Sequence, residues 1–135
     1  MAPQALRGLL GRLRGRLRPG ESGEAAACRH LEAQGLVVVT RNFLCRSGEV
    51  DVIARDGQTT VFVEVKERHS ASHGFGHEAV GFGKRRRIVR AARIYAAQQG
   101  LFEAPIRFDV VSIDWDGSGS PRIRHDRGAF DSDGR

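Results

Sequence analysis

Two short runs of alternating residues, 49–55 and 60–66, carry carboxylates and one lysine at positions that could share a face. Because side chains alternate across a strand, Glu64 and Lys66 lie on the same face of the second run. A hairpin joining the runs brings Asp51 near Glu64, diagonally with a two-residue loop and directly opposite with a four-residue loop. A loop of odd length or a bulge would separate the two carboxylates.

Paired carboxylates repel each other unless a cation lies between them. Hard oxygen ligands favour Mg²⁺ or Mn²⁺, which bind through one or two carboxylates together with substrate phosphate. The pattern predicts a metal that activates water against a phosphodiester, with Lys66 helping to position or deprotonate that water. Only two of the 22 basic residues are lysines, and lysine shifts its pKa more readily than arginine. The alternative is a solvated face with a Glu64–Lys66 ion pair.

Glu24 adds a further carboxylate near the start of the first predicted helix. It precedes Cys28 by four residues and Leu31 by seven, a spacing that places it on the inward stripe of the helix. The alternative role is that of an acid that complements the helix dipole in the first turn.

The composition favours a single basic domain. Its 135 residues, 40% of them hydrophobic, suffice for one core without a disulfide or a structural metal. The net charge of +6 favours a polyanionic partner, with nucleic acid as the leading class. Cys28 and Cys45 fit neither a disulfide framework nor a zinc motif, so we expect a reducing compartment and a cytoplasmic location. No apolar run is long enough for a transmembrane helix.

The second predicted helix is strongly basic. Six cations fall within ten residues, namely Lys84, Arg85, Arg86, Arg87, Arg90 and Arg93. Cations at this density suit contacts to phosphate groups, and a merely solvated helix is the alternative. Because the chain has one tyrosine and one tryptophan, we do not expect an extended platform that stacks the bases of a single strand.

Two other sets of polar residues favour structural roles. His69, His73 and His77 recur at every fourth residue, but the glycines among them favour solvated loop histidines over a metal site on a helix. Arg107 and Asp109 share one face of the last predicted strand. This spacing predicts a structural salt bridge, with a phosphate contact by Arg107 as the alternative.

The chain order predicts an α/β fold in which helices flank a mixed sheet. Caps, spacing and turn residues predict helices over 22–34 and 84–99, strands over 36–40, 49–55, 60–66 and 106–113, and a loop over 70–83. The domain is predicted over 21–115, followed by a flexible tail over 116–135. The basic amphipathic segment 1–20 is predicted to be a loosely ordered tail that contacts phosphate or nothing, and membrane-surface or targeting roles are the alternatives.

The motifs together resemble those of the YraN family, a group of small bacterial proteins regarded as endonucleases. The resemblance covers most of the chain and rests on Gly23-Glu24, Arg41-Asn42, Gly48-Glu49-Val50-Asp51, Phe62-Val63-Glu64-Val65-Lys66 with Arg68, Lys84, and Arg107-Phe108-Asp109. It implies a restriction-endonuclease-like core similar to that of archaeal Holliday junction resolvases. Glu67 stands where the family pattern has a small polar residue.

The resemblance also implies roles for particular residues. Glu24, Asp51, Glu64 and Lys66 correspond to the catalytic set, and Mg²⁺ or Mn²⁺ would be held by Glu24, Asp51, Glu64 and the main-chain carbonyl of Val65. Arg68 joins the six cations of the second helix as a predicted nucleic-acid contact.

Two functions from different classes follow. The first is a metal-dependent endonuclease that hydrolyses DNA phosphodiesters, with branched or damaged DNA as candidate substrates. The second is a nucleic-acid-binding or assembly factor that has a nuclease-like fold and little or no turnover. A homodimer is compatible with either function, because many nucleases of this fold pair to reach two strands.

Overall fold

The computed structural model describes residues 21–69, 80–117 and 119–135. The predictions for segment 1–20, for His73 and His77, and for most of the loop over 70–83 lie outside these residues. The described elements are α1 (Gly23–Ala33), β1 (Val37–Cys45), β2 (Gly48–Asp56), β3 (Thr59–His69), α2 (Phe82–Gln99), β4 (Ile106–Trp115) and β5 (Arg122–Phe130). No helix among the described residues is long and apolar enough to cross a membrane.

The five strands form one mixed sheet in the order β1-β2-β3-β4-β5. Only the β3–β4 pair is parallel, and the other three pairs are antiparallel. Because a parallel pair needs a long crossover connection, α2 lies in the chain between β3 and β4. The prediction of a mixed α/β sheet with flanking helices is confirmed.

Each helix covers its own face of the sheet. On one face, α1 packs its small residues Ala26 and Ala27 against a layer that includes Val61 and Val63. On the other face, α2 packs against an aromatic layer that includes Phe62. The alternation of side chains along β3 therefore produces two separate cores and three layers.

The hairpin predicted between the second and third strands is confirmed. Asp56 pairs with Thr59 across a two-residue loop, and Gly57 takes the positive φ of 60° that such a tight turn requires. The register continues through Ile53 and Phe62. The diagonal position expected for Asp51 assumed a two-residue loop at Asp56–Gly57, but the loop is Gly57–Gln58. This register directs Asp51 towards the position opposite Glu64.

The prediction of a flexible tail over 116–135 is wrong for Arg122–Phe130, which form the edge strand β5. Buried polar contacts hold this strand, because the carboxylate of Asp109 accepts the Gly128 N–H at 3.0 Å and lies 2.7 Å from Nε2 of His125. His69 is also not a loop residue, since it ends β3 and its ring stacks on Trp115.

Candidate metal site and basic surface

Three carboxylates converge where the start of α1 meets the start of β2. One oxygen each from Glu24, Glu49 and Asp51 can be chosen so that all three lie within 4.8 Å of one another. Two of these residues, Glu24 and Asp51, are among the predicted ligands. Glu49 is not, and the structure adds it to the candidate site.

The start of α1 fixes the position of Glu24. Ser22 caps the helix by accepting the Ala25 N–H at 3.2 Å, so Glu24 falls in the first turn, where the helix dipole favours a carboxylate. Its only ion-pair partner among the described residues is Arg41 of β1, at 3.6 Å. Because such a pair is long and partly exposed, the Glu24 carboxylate can exchange it for another cation at small cost.

Asp51 lies where the pairing of β2 and β3 ends. The ladder stops at Val52 and Val63, and the Asp51 carboxylate accepts the N–H of Val65 at 2.8 Å. The regular alternation of β2 is broken here, because Val50 packs in the core under α2 whereas Val52 packs in the core under α1. This break turns Asp51 towards both α1 and the neighbouring strand.

Glu64 is the one buried glutamate among the described residues, with 2% of its surface exposed. Burial raises its pKa from 4.5 to about 7, a hydrogen bond from Lys84 opposes that shift, and the charge of Asp51 adds to it. The influence of Asp51 agrees with the expectation that these two carboxylates lie close together. Glu64 is not part of the Glu24–Glu49–Asp51 cluster.

The ammonium of Lys84, from the first turn of α2, forms an ion pair with Glu64. Lys84 was expected to contact phosphate, and its place beside the acidic residues was missed. The scarcity of lysine is the signal that could have indicated this place, because Lys84 is, with Lys66, one of only two lysines among the 22 basic residues. Lys66 itself is half-buried on β3, two residues beyond Glu64, and alternation puts both on the α2 side of the sheet.

The remaining predicted nucleic-acid contacts divide into different environments. Arg85 is half-buried with its guanidinium over the ring of Phe130, at 5.6 Å from the centroid. Arg86, Arg87, Arg90 and Arg93 are exposed along α2, and Arg68 is half-buried on β3. The cations of α2 therefore lie on several sides of the helix and do not form one flat patch with Arg68.

The salt bridge predicted between Arg107 and Asp109 is confirmed, and it lies on β4. Nε of Arg107 donates to Asp109 at 2.8 Å, and Nη1 donates to Asp56 at the same distance. Bonded to two carboxylates, the Arg107 guanidinium acts as a structural link between β2 and β4.

The donor set of the acidic cluster suits a hard divalent cation. Glu24, Glu49 and Asp51 offer only carboxylate oxygens within a span that one ion can bridge, and such ligands are those that Mg²⁺ and Mn²⁺ prefer. Glu64 lies close enough for its titration to depend on Asp51. The Asp51 carboxylate accepts the Val65 N–H, so the main chain of Val65 passes beside Asp51. The resemblance proposes the carbonyl of the same residue as a ligand.

A mixed sheet flanked by two helices, with carboxylates gathered where two strands part, is an α/β architecture consistent with a nuclease-like core. The chain belongs to the uncharacterised protein family UPF0102, whose pattern matches residues 23–113. This finding confirms the resemblance to the YraN family drawn from the motifs.

Similar proteins occur in several bacteria. A UPF0102 protein of Anaeromyxobacter dehalogenans is 46% identical over 121 residues, which cover 90% of each chain. UPF0102 protein Franean1_1156 of Parafrankia sp. is 47% identical over 84% of this chain and 96% of its own. UPF0102 protein GSU0650 of Geobacter sulfurreducens is 43% identical over 83% of this chain and 88% of its own.

Proposed function

We propose that this protein is a Mg²⁺- or Mn²⁺-dependent endonuclease that hydrolyses DNA phosphodiesters, with branched or damaged DNA as its substrate class. The observation that carries the proposal is the convergence of Glu24, Glu49 and Asp51 within 4.8 Å, next to the buried Glu64. Carboxylates this close repel each other, and a cation bound between them would offset that repulsion.

The residues of the cluster have distinct tasks in this proposal. Glu24, Glu49 and Asp51 would hold the cation, with Glu64 and the Val65 carbonyl completing the set. The bound cation would lower the pKa of a water molecule and neutralise charge that develops on the phosphodiester. Asp51 is kept in its orientation by the Val65 N–H. Lys66 supplies a positive charge that positions the attacking water and stabilises the phosphorane-like transition state.

The charge distribution supports a nucleic-acid substrate. The chain carries a net charge of +6, and the four exposed arginines of α2 lie on the helix whose first turn supplies Lys84 to Glu64. Contacts from these arginines would bind the phosphate backbone without reading its sequence.

A cleavage assay tests the proposal directly. Wild type and Asp51→Asn would be incubated with labelled four-way, flapped and linear DNA in Mn²⁺, Mg²⁺ or EDTA. We expect cleavage by the wild type that EDTA abolishes, and a loss of roughly a hundredfold or more in the variant, because the amide cannot replace the carboxylate charge. The matched control is Asp126→Asn on the exposed edge strand, which should cleave like the wild type. Equal cleavage by the wild type and Asp51→Asn would contradict the proposal.

A nucleic-acid-binding factor without turnover is the second candidate, and the Lys84–Glu64 ion pair favours it. In that case the ammonium already neutralises the buried carboxylate and no metal is needed there. The same assay separates the two functions. Tight binding of DNA by both proteins, with no cleavage of any substrate in Mn²⁺ or Mg²⁺, would favour the binding factor.

A further inference from the structure

A groove runs between the outer side of α2 and the turn formed by residues 131–135. Its volume is about 580 Å³, within the range of pockets that hold a small ligand or a nucleotide. Its walls include one aromatic ring, four arginines and one carboxylate, contributed by Phe82, Arg86, Arg90, Arg93, Arg135 and Asp133.

The wall opposite α2 is a tightly folded turn. The carboxylate of Asp131 accepts the N–H groups of Asp133 at 2.9 Å and Arg135 at 3.0 Å. Gly134 lies buried with a φ of 79°, and a Cβ at this position would be 3.4 Å from Cγ of Arg86 and 3.5 Å from the ring of Phe82. The turn is therefore seated against α2, and the groove has two ordered sides.

The groove is strongly electropositive. Arg86, Arg90 and Arg93 recur at a spacing of four and three residues, which places them on one side of α2. Among the described residues, no carboxylate lies within 4.0 Å of the guanidinium of Arg90 or Arg93. These two guanidinium groups are thus available to an anion from outside the chain.

An exposed aromatic ring lies at one end of the groove. Phe82 leaves 52% of its surface exposed, and the guanidinium of Arg86 lies 5.7 Å from the centroid of its ring. Aromatic rings combined with arginines bind unpaired bases by stacking and phosphates by charge, whereas the bases of a duplex are not accessible to such a ring.

We propose that this groove binds a single-stranded segment of nucleic acid, with its phosphates on Arg90, Arg93 and Arg135 and one unpaired base on Phe82. The proposal rests on the proposed function, since it names the single-stranded arm of a branched or flapped substrate as what the groove holds. Phe82 precedes Lys84, which contacts Glu64, by two residues. The two side chains therefore project from opposite sides of α2, and the groove lies on the side of the helix away from the Lys84–Glu64 contact.

The salt dependence of binding tests the phosphate contacts. The full chain would be titrated in EDTA with fluorescent dT12 and with a blunt 12-bp duplex at several salt concentrations. For dT12, we expect Arg90→Ala/Arg93→Ala to reduce the slope of log affinity against log salt by about 1.4, since each phosphate contact contributes about 0.7 on single strands. The control Arg55→Ala/Arg122→Ala removes two exposed charges outside the groove and should leave the slope unchanged. An equal loss in the control would overturn the proposal.

The substitution Phe82→Leu tests the unpaired base while keeping an apolar side chain against Gly134. We expect the affinity for dT12 to fall about tenfold, which lies within the range for one stacked base, and the affinity for the duplex to stay unchanged. An equal loss for the duplex, or no loss for dT12, would contradict a stacked base.

These binding results are independent of catalysis because they are obtained in EDTA. If cleavage depends on Asp51 but the groove variants bind dT12 like the wild type, the groove proposal fails and the nuclease proposal stands. If the groove variants lose binding of dT12 while no substrate is cleaved, the nuclease proposal fails and the groove remains a site for single strands.

Discussion

Asp109→Asn is expected to destabilise the fold by about 3 kcal/mol at pH 7, the cost of removing one partner from a buried charge network. Asp109 is fully buried and accepts from Nε and Nη2 of Arg107 and from the Gly128 N–H, while His125 contacts its second oxygen. An asparagine keeps the shape but presents an NH₂ group to donors, so at least one buried donor loses its acceptor. Urea unfolding followed by circular dichroism would measure the change, and the thermal midpoint should fall by roughly 10 °C.

Acid should reduce this difference. Burial alone would raise the pKa of Asp109, but hydrogen bonds from His125, Arg107 and Gly128 outweigh it and lower the pKa from 3.8 to about 2. The ionised carboxylate therefore stabilises the fold above about pH 4, and this contribution is lost as the pH falls through 2. At pH 3 the gap between wild type and variant should be smaller by about 1 kcal/mol.

The control for this experiment is Asp126→Asn on β5. Asp126 forms an ion pair with Arg124 at 2.8 Å, the same distance as the Arg107–Asp109 pair, but the side chains of Arg124 and Asp126 are 59% and 37% exposed. We expect a change below about 1 kcal/mol, because water screens an exposed pair. Equal effects of the two substitutions would show that the buried network does not hold the edge strand.

The same network explains why β5 could not be predicted from the sequence. Residues 122–130 read RIRHDRGAF, with only Ile123 and Phe130 as large apolar side chains. A strand normally shows itself by alternating apolar residues, but β5 is fixed by Asp109, which lies 16 residues before His125. Long-range polar pairing of this kind leaves no local pattern.

The hairpin that carries the site was predictable because its signals are local. Alternating valines bounded by Asp56 and Gly57 predict two paired strands, and the structure has that pairing. Alternation places Glu49 on the same face as Asp51, but Glu49 was not predicted as a ligand, because its convergence with Glu24 depends on how α1 packs at the start of β2. The position of α1 relative to β2 depends on packing, which a period of two residues does not describe.

The contact between Lys84 and Glu64 is a second feature that the sequence pattern did not reveal. The distance of twenty residues between them in the chain hides their ion pair, which forms only because the β3–α2–β4 crossover returns α2 over the sheet. The resemblance to a family includes both Lys66 and Lys84, yet it did not indicate which lysine contacts the buried glutamate.

Glu64→Gln is expected to stabilise the fold at pH 8, by about 2 to 3 kcal/mol in EDTA. Burial raises the pKa of Glu64 from 4.5 to about 7 against the hydrogen bond from Lys84. The protonated carboxyl is therefore the form that the folded state prefers, and the wild type loses stability as the pH rises from about 4.5 to 7. Glutamine resembles the protonated carboxyl, so the variant should match the wild type near pH 4 and exceed it at pH 8. Urea unfolding across this pH range would measure both.

A control variant and a measurement in Mn²⁺ show whether the effect of Glu64→Gln comes from the buried carboxylate. Glu103→Gln alters an exposed glutamate in the loop before β4 and should change stability by less than about 0.5 kcal/mol at either pH. Millimolar Mn²⁺ should narrow the gap at pH 8, because a cation bound beside Asp51 favours the ionised form of Glu64 and stabilises the wild type more than the variant. A variant that is less stable than the wild type at pH 8 in EDTA would mean that the Lys84 ion pair outweighs the cost of burying the charge. Such a result would identify Glu64 as a structural residue; a gain that Mn²⁺ diminishes would mean that the site retains a destabilising carboxylate for the cation it binds.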